Sequence, residues 1–152
     1  MKDNSNELTP EVYDQIGKSC VCFNLRRATR LTTQVYDRAF KPIGLKTTQY
    51  TLMVSVARNS GVSLSRLARR LGMGRTTLSR NAALLERKGF IIISEGEDRR
   101  VQRLFLTEKG KNILQRALPL WRLVQSRLFN KVGEEKAQDL LEGLQNLARI
   151  DL

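Results

Sequence analysis

The spacing of apolar residues predicts a chain that begins with helices. Over residues 10–40 they recur every three or four positions, which predicts one long helix. Pro42 and Gly44 follow it and supply the stop signal. A second helix is predicted over about residues 48–59, where Ser60 and Gly61 end it.

Two short amphipathic helices joined by a glycine turn come next. Ser63 is the predicted N-cap of the first, and Gly72 is the left-handed residue just past its end. The second is predicted over about residues 74–88 and ends in the same way at Gly89. This arrangement predicts a helix-turn-helix. The predicted buried faces consist of Leu64, Leu67, Ala68, Leu71, Leu78, Ala82 and Leu85.

A hairpin and two longer helices complete the predicted fold. The apolar runs 91–94 and 101–106 flank a charged turn with a glycine, which predicts two paired strands. Thr107 is predicted to cap a helix that runs to about residue 131, and Pro119 should kink or divide it. A final helix is predicted over residues 134–150. The fold class is therefore mainly α with a small antiparallel β wing, a winged helix-turn-helix accompanied by further long helices. The apolar face of the last helix contains Leu140, Leu141, Leu144, Leu147 and Ala148.

The charge distribution indicates a polyanionic partner. The chain carries 27 Lys and Arg against 15 Asp and Glu, a formal net charge of +12. Residues 58–111 hold 13 of the basic and 5 of the acidic residues, so +8 of the +12 falls on the predicted helix-turn-helix and hairpin. A charge that served only solubility would be spread more evenly. The imbalance predicts double-stranded DNA as the partner.

Two groups of polar side chains are the predicted DNA contacts. Those at the start of the second short helix can pair with base edges and phosphates, although a solvated helix surface is the alternative. Those at the hairpin tip can enter the minor groove or grip phosphate, with the aspartate orienting an arginine. An ordinary polar hairpin is the alternative, and either arginine can be the one that reaches DNA. The residues are Arg75, Thr76, Thr77, Ser79 and Arg80 on the helix, and Asp98, Arg99 and Arg100 on the hairpin.

The composition leaves little material for enzymatic chemistry. The chain has no histidine, which excludes Ser-His-Asp and Cys-His catalysis, and two cysteines cannot form an all-cysteine zinc site. Neither glycine-rich phosphate motif is present, so no catalytic, metal or cofactor site is predicted.

The chain has no run of 18 apolar residues, and its first residues are polar. We therefore expect a cytoplasmic protein without a membrane segment. Cys20 and Cys22 are predicted on one helix, about 200° apart, which argues against a mutual disulfide.

These motifs resemble the MarR family of bacterial transcription regulators from about residue 16 to residue 150. The resemblance rests on Leu45-Lys-Thr-Thr-Gln49, Leu67-Ala68, Arg75-Thr-Thr-Leu-Ser-Arg80, Glu86-Arg-Lys-Gly89, Asp98-Arg-Arg100 and Leu106-Thr-Glu-Lys-Gly110. It implies a homodimer with two winged heads, a palindromic operator, and repression that an effector relieves.

Residues 1–8 are predicted to be a disordered tail before a single domain over residues 9–152. Residues 45–107 are predicted to be the DNA-binding head, and residues 9–42 with 108–152 are predicted to be the dimerisation region.

A narrower resemblance concerns the first helix. Residues 22–50 are similar to the segment of the organic-hydroperoxide sensors (OhrR type) that bears the reactive cysteine, and this implies a redox role for Cys22 and Tyr36. Arg26 stands where those sensors have a second tyrosine, and it could favour a thiolate electrostatically. Tyr36 lies about 21 Å along the same helix from Cys22, so only the Cys22 of a partner subunit could contact it. The alternatives are a Cys22 that only packs, and a small ligand in a pocket at Trp121.

Two other functions use the same features. A sequence-independent nucleic-acid or nucleoid binder would exploit the same charge without reading bases. A winged helix that contacts only proteins would leave the arginines of the head without a role. Sequence-specific regulation by a DNA-binding dimer accounts for both the charge and the helix-turn-helix pattern.

Overall fold

The computed structural model describes residues 7–96 and 101–149. These residues form a mainly α fold with a small antiparallel sheet, so the predicted fold class is confirmed. Residues 1–6 of the predicted tail and the hairpin tip at 97–100 lie outside the described residues. The elements are α1 (Pro10–Ser19), α2 (Val21–Phe40), a 3-10 turn (Lys41–Ile43), α3 (Thr47–Arg58), β1 (Val62–Ser63), α4 (Leu64–Arg70), α5 (Arg75–Arg87), β2 (Ile91–Glu95), β3 (Gln102–Leu106), α6 (Glu108–Val132) and α7 (Glu134–Leu147).

The chain divides into two compact units, Met1–Val35 and Tyr36–Leu152. The hydrophobic core lies in the second unit, where α3, α4, α5, α6 and the sheet contribute to one cluster. Every residue of the predicted buried faces in α4 and α5 is buried, except Leu71, which is half-buried and packs against the cluster. The 3.6-residue spacing therefore identified the core side of both helices. The largest fully buried side chains are Phe40, Leu45, Met53, Leu67, Leu78, Leu85, Ile91, Leu104 and Val56.

The sheet has three strands in the order β1-β3-β2, all antiparallel. The hairpin of β2 and β3 was predicted, and its register pairs Ile93 with Leu104. The third strand was not predicted, because two residues, Val62 and Ser63, are too few to show a strand pattern. β1 pairs Val62 with Leu104 and so joins the start of α4 to the hairpin.

Side-chain caps fix the starts of α3, α4 and α6. The hydroxyl of Ser63 accepts from the amide of Arg66 at 3.3 Å, as predicted for an N-cap. The hydroxyl of Thr107 accepts from the Gly110 amide at 2.9 Å in the same role. Asp37 of α2 takes over this function for α3, because its Oδ1 accepts from the Thr47 amide at 2.8 Å and the Thr47 hydroxyl at 2.7 Å.

The first predicted helix is wrong in one respect, because it divides into α1 and α2 at Cys20. The backbone of Cys20 is extended, with φ −69° and ψ 112°. The Asn24 side chain supports the break by donating to the carbonyls of Gly17 at 3.1 Å and Cys20 at 2.9 Å. The Cys20 sulfur accepts from the Phe23 amide at 3.5 Å, so a thiol stands at the start of α2. Asparagine offers the backbone this alternative to a continuous helix.

The predictions for the last two helices have different outcomes. α6 continues from Glu108 to Val132, so Pro119 does not divide it, and the alternative of a kink at Pro119 stays a prediction. Pro119 and Gln115 are both exposed, so water can satisfy the Gln115 carbonyl that the proline leaves without its helical donor. α7 ends at Leu147 and not at residue 150, which lies outside the described residues. No helix in the described part of the chain is long and apolar enough to cross a membrane.

Candidate nucleic-acid interface

α5 presents its polar side chains on a surface that the core supports from behind. Leu78, Ala82 and Leu85 are fully buried at 0% exposure and fix the opposite face of the helix to the core. The predicted DNA contacts Arg75, Thr76, Thr77, Ser79 and Arg80 are all exposed. The structure therefore brings all five together over the first two turns of one helix. Because Leu78 lies between Thr77 and Ser79, the polar face cannot turn away without breaking the core.

The start of α5 is open to an anion. Gly74 is the N-cap residue and has no side chain that could bond the first amides. Those amides and the helix dipole favour a negative group such as a backbone phosphate. Arg75 lies in the first turn and Arg80 in the second, so both cations accompany this end of the helix. The arrangement can hold phosphate oxygens while Thr76 and Ser79 offer hydroxyls to base edges.

Further cations surround α5 in the head. α4, the preceding helix, exposes Arg66, Arg69 and Arg70. The guanidinium of Arg70 donates to the side-chain carbonyl of Asn59, which ties the end of α4 to the end of α3. The sequence identified this excess of charge, but it did not indicate this bond.

Side-chain hydrogen bonds hold both strands of the hairpin. On one side, the Glu86 carboxylate of α5 accepts from the Ile93 amide of β2 at 2.9 Å. On the other, the Arg103 guanidinium of β3 donates to the Gly61 carbonyl at 2.9 Å. The direction of the hairpin is therefore set relative to α5. Its tip residues Asp98, Arg99 and Arg100 lie outside the described residues.

Lys88 links the end of α5 to the start of α3. Its ammonium donates to the side-chain carbonyl of Gln49 at 3.3 Å, and that oxygen also accepts from the Lys46 amide at 3.1 Å. Among the residues that the structure describes, Gln49 is the one polar residue that is buried, with 9% exposure. The pattern of apolar residues gives no signal for such a bond, because both partners are polar side chains on different helices.

The remaining predicted site residues lie elsewhere. Cys22 is exposed in the first turn of α2, and both Cys20 and Cys22 are free thiols. The premise that both cysteines lie on one helix is wrong, because Cys20 precedes α2. The Tyr36 hydroxyl donates to the Gln125 side chain of α6. Burial, and secondarily the nearby Tyr50, raise the pKa of Tyr36.

Trp121 and Tyr36 both pack against the core of the second unit. Trp121 is half-buried there among the partly buried hydrophobic side chains. The rings of Tyr36 and Phe40 have centroids 6.0 Å apart, and those of Phe40 and Tyr50 are 4.9 Å apart. These contacts are those of packing side chains, and a ligand pocket at Trp121 stays a prediction.

The solved structures that resemble this chain include transcription regulators bound to DNA. Residues 43–101 match the sequence profile of the MarR family. MosR of M. tuberculosis, solved in complex with DNA, is 38% identical with a TM-score of 0.78, over 86% of this chain and 95% of that one. CouR of Rhodococcus jostii, solved on a 23-mer duplex, is 26% identical with a TM-score of 0.80, over 94% of this chain and 99% of that one. The regulator SarZ of Staphylococcus epidermidis is 28% identical over 83% of this chain and 84% of its own length.

The extent of these matches decides the family. The MosR likeness includes nearly the whole of that protein, and the profile covers the helix-turn-helix and β2 but ends before β3. The chain belongs to the MarR family of winged helix-turn-helix transcription regulators.

Proposed function

We propose that this regulator is a sequence-specific repressor that binds a palindromic operator as a homodimer and is released by oxidation or by a small ligand. The observation that carries the proposal is the exposed face of α5, where two arginines and three hydroxyl side chains lie over a buried leucine face. Arginine forks recognise guanine, and hydroxyls serve bases and phosphates, so this face suits the major groove.

The direct test is selection of bound sequences from a pool of random duplexes. A recovered palindrome supports both base recognition and the two-fold symmetry of a dimer. The competing function is sequence-independent binding through charge alone. It predicts equal affinity for the selected site and for random duplex at a fixed salt concentration, because phosphate contacts carry no sequence information.

We assign the hairpin a supporting role in DNA binding. Asp98, Arg99 and Arg100 are assigned to the minor groove or to phosphate because the sequence places them at the tip of a hairpin whose strands are held by Glu86 and Arg103. A double variant, Arg99→Ala with Arg100→Ala, should lose affinity for specific and random duplex alike. Its dependence on salt should also be shallower, since fewer counterions are released.

The dimer is assigned to the helices outside the head, residues 9–42 and 108–152. Their apolar side chains support this assignment, because Leu140 and Leu147 of α7 are 53% and 42% exposed in the single chain. Two heads should engage half-sites about one helical turn apart, roughly 10 base pairs. Truncation after Phe129 removes the leucine face of α7, so light scattering should detect no dimer. A soluble, DNA-competent monomer would contradict this assignment.

Oxidation of Cys22 is the first candidate for release. The thiol is exposed at the start of α2, where an oxidant can reach it. Organic hydroperoxide should lower the DNA affinity of wild type and of Cys20→Ser, but not of Cys22→Ser. Mass spectrometry reports the oxidation state. Full affinity in a protein whose Cys22 is oxidised excludes this switch and leaves a small ligand near Trp121 as the effector to test.

A further inference from the structure

The end of α5 is bonded to the start of α6 by three consecutive backbone carbonyls. The Lys109 ammonium donates to the Lys88 carbonyl at 2.7 Å. The Thr107 hydroxyl lies within donating distance of the carbonyls of Gly89, at 2.7 Å, and Phe90, at 3.0 Å. The Phe90 oxygen also accepts from the Thr107 amide at 3.1 Å. We call residues 88–90 and 107–110 the α5–α6 joint.

Two glycines permit this close approach. A Cβ on Gly110 would lie 2.1 Å from the Phe90 carbonyl oxygen and 2.8 Å from Leu106 Cδ1, so no other residue fits there without displacing backbone. Gly89 is required for a different reason: its φ of +72° lies in the left-handed region that other residues rarely adopt, while a Cβ there would make only ordinary contacts with Lys109, at 3.6 and 3.7 Å. The lysine then reaches across the turn, with its ammonium 5.4 Å from the centroid of the Phe90 ring.

The bonded carbonyls belong to the turn that closes α5. The Gly89 amide donates to the Glu86 carbonyl at 2.7 Å, and the Phe90 amide donates to the Leu85 carbonyl at 2.9 Å. The turn is therefore part of the hydrogen-bonded end of the helix and not a free linker. Because Thr107 also caps α6 through the Gly110 amide, one side chain serves the ends of both helices.

We propose that Thr107 and Lys109 are positioning residues for DNA binding, which fix the direction of α5 to the first turn of α6. This inference rests on the proposed function. α6 has 25 residues and exposes Leu118 and Leu123 in the region assigned to the dimer. The later part of α6 is assigned to the dimer, and its first turn is bonded to the end of α5. α6 therefore sets the distance between the two DNA-reading faces, which are the exposed polar faces of α5 in the two subunits. The joint therefore determines which half-site spacing the dimer accepts.

The test measures affinity for the selected operator, for operators with one base pair added or removed between half-sites, and for random duplex. Lys109→Met and Thr107→Val remove the two side-chain donors, while Lys109→Arg and Thr107→Ser restore a donor. Lys111→Met is the matched control, because it removes the same charge from the same helical turn, where Lys111 pairs only with Glu108 at 2.5 Å among the contacts described for its ammonium.

Lys109→Met should bind the operator about 3- to 10-fold more weakly, the change that the loss of one ordinary hydrogen bond produces. Thr107→Val should lose at least as much, because it also removes the N-cap of α6. The preference for the selected spacing should shrink by the same factor. Binding to random duplex and the dependence on salt should be unchanged, since no phosphate contact is lost. The arginine, serine and Lys111 variants should behave like wild type.

Three results decide against the proposal. Equal losses on random duplex with a shallower salt dependence would make Lys109 a phosphate contact. Unchanged spacing preference in both donor variants would leave the joint a structural feature only. If wild type itself shows no preference for a palindrome, the proposed function fails, and this role fails with it. Thermal unfolding identifies a Thr107→Val protein that is not folded, in which case the exposed Lys109→Met variant decides.

Discussion

Leucines on the apolar faces are buried in the head but exposed in the final helix. In the head, Leu78 and Leu85 of α5 have 0% exposure. In α7, Leu140 and Leu141 are 53% and 42% exposed, and the buried residue of this helix is Ala137. Both segments show the same apolar periodicity, yet the single chain buries the apolar face of only the first. Periodicity therefore identifies an apolar face, while burial shows whether the single chain covers that face.

The first unit resembles α7 in this respect. α1 has no buried residue, and Tyr13 and Ile16 are 58% and 46% exposed. In α2, Val21, Phe23 and Leu31 are 50–56% exposed. The basic excess, in contrast, belongs to the head, where residues 58–111 account for +8 of the +12. A near-neutral apolar surface suits self-association, and a basic surface over a closed core suits a rigid contact with DNA.

The largest expected effect comes from placing charge on the exposed leucines of α7. Leu140→Glu with Leu147→Glu should leave the folded chain intact, because both side chains face water in it, but should abolish the dimer. Operator affinity should then fall about 10²- to 10⁴-fold, since the second half-site no longer adds avidity. Analytical ultracentrifugation and operator titration measure the two effects.

The control for this variant is Gln138→Glu with Gln145→Glu, which adds the same charge at two other exposed positions of α7. It should remain a dimer. If the leucine variant also stays dimeric, the proposed dimer surface is wrong, and the exposed leucines need another explanation.

The next effect concerns the core behind the DNA-reading face. Leu78→Ala should lower the free energy of unfolding by about 2–5 kcal/mol, because it leaves a cavity beneath α5. Thr77→Ala, one residue away and exposed, should change it by no more than about 0.5 kcal/mol. Urea denaturation measures both. A loss below about 1 kcal/mol for Leu78→Ala would mean that the head is packed more loosely than the structure shows.

The sequence predicted the head well because each of its elements carries a local signal. Ser63 and Thr107 act as the predicted N-caps. Gly72 and Gly89 have a positive φ, as predicted, with observed values of 59° and 72°. The helices and the hairpin of the head begin and end within one or two residues of the prediction. Caps and turn glycines are short-range features, so the residues that determine them are neighbours in the sequence.

The misses involve partners that are distant in the sequence or that act against a local rule. β1 exists because Val62 pairs with Leu104, 42 residues later. The helix break at Cys20 depends on the Asn24 side chain, which donates to the backbone carbonyls of Gly17 and Cys20. For the candidate site, the sequence identified the polar face of α5 but not Lys109 or Thr107 as a joint, since their acceptors lie 17 to 21 residues earlier.

A smaller effect is expected for the DNA-reading face itself. Arg80→Ala removes an exposed guanidinium from the second turn of α5 without touching the core. It should weaken operator binding by about 1–3 kcal/mol and relax the preference at one base position. Arg116→Ala, which removes an exposed arginine from α6, should do neither. Selection from the random pool with each variant reports the lost preference, and an unaltered motif for Arg80→Ala would place base recognition on other residues.

The smallest effect contrasts two aspartates, one in each unit. Burial raises the pKa of Asp37, but the hydrogen bonds from the Thr47 amide and hydroxyl and from Lys46 outweigh it, so the net pKa lies below the ordinary value of 3.8. A carboxyl with a lowered pKa stabilises the fold above its unfolded pKa, and this stability is lost as the pH falls through the folded pKa. Asp37→Ala should therefore lower the free energy of unfolding at pH 7 by about 1 kcal/mol, the ordinary loss of a helix cap. The difference from wild type should shrink as the pH falls below about 4.

Asp14 provides the comparison, because its ion pair with Lys18 on α1 joins side chains that are 65% and 76% exposed. Water screens such a pair, so Asp14→Ala should change the stability by only a few tenths of a kcal/mol. Urea denaturation between pH 3 and pH 7 measures both variants against wild type. Equal losses for the two, or an Asp37→Ala loss that persists undiminished at pH 3, would show that the carboxylate of Asp37 does not stabilise the start of α3.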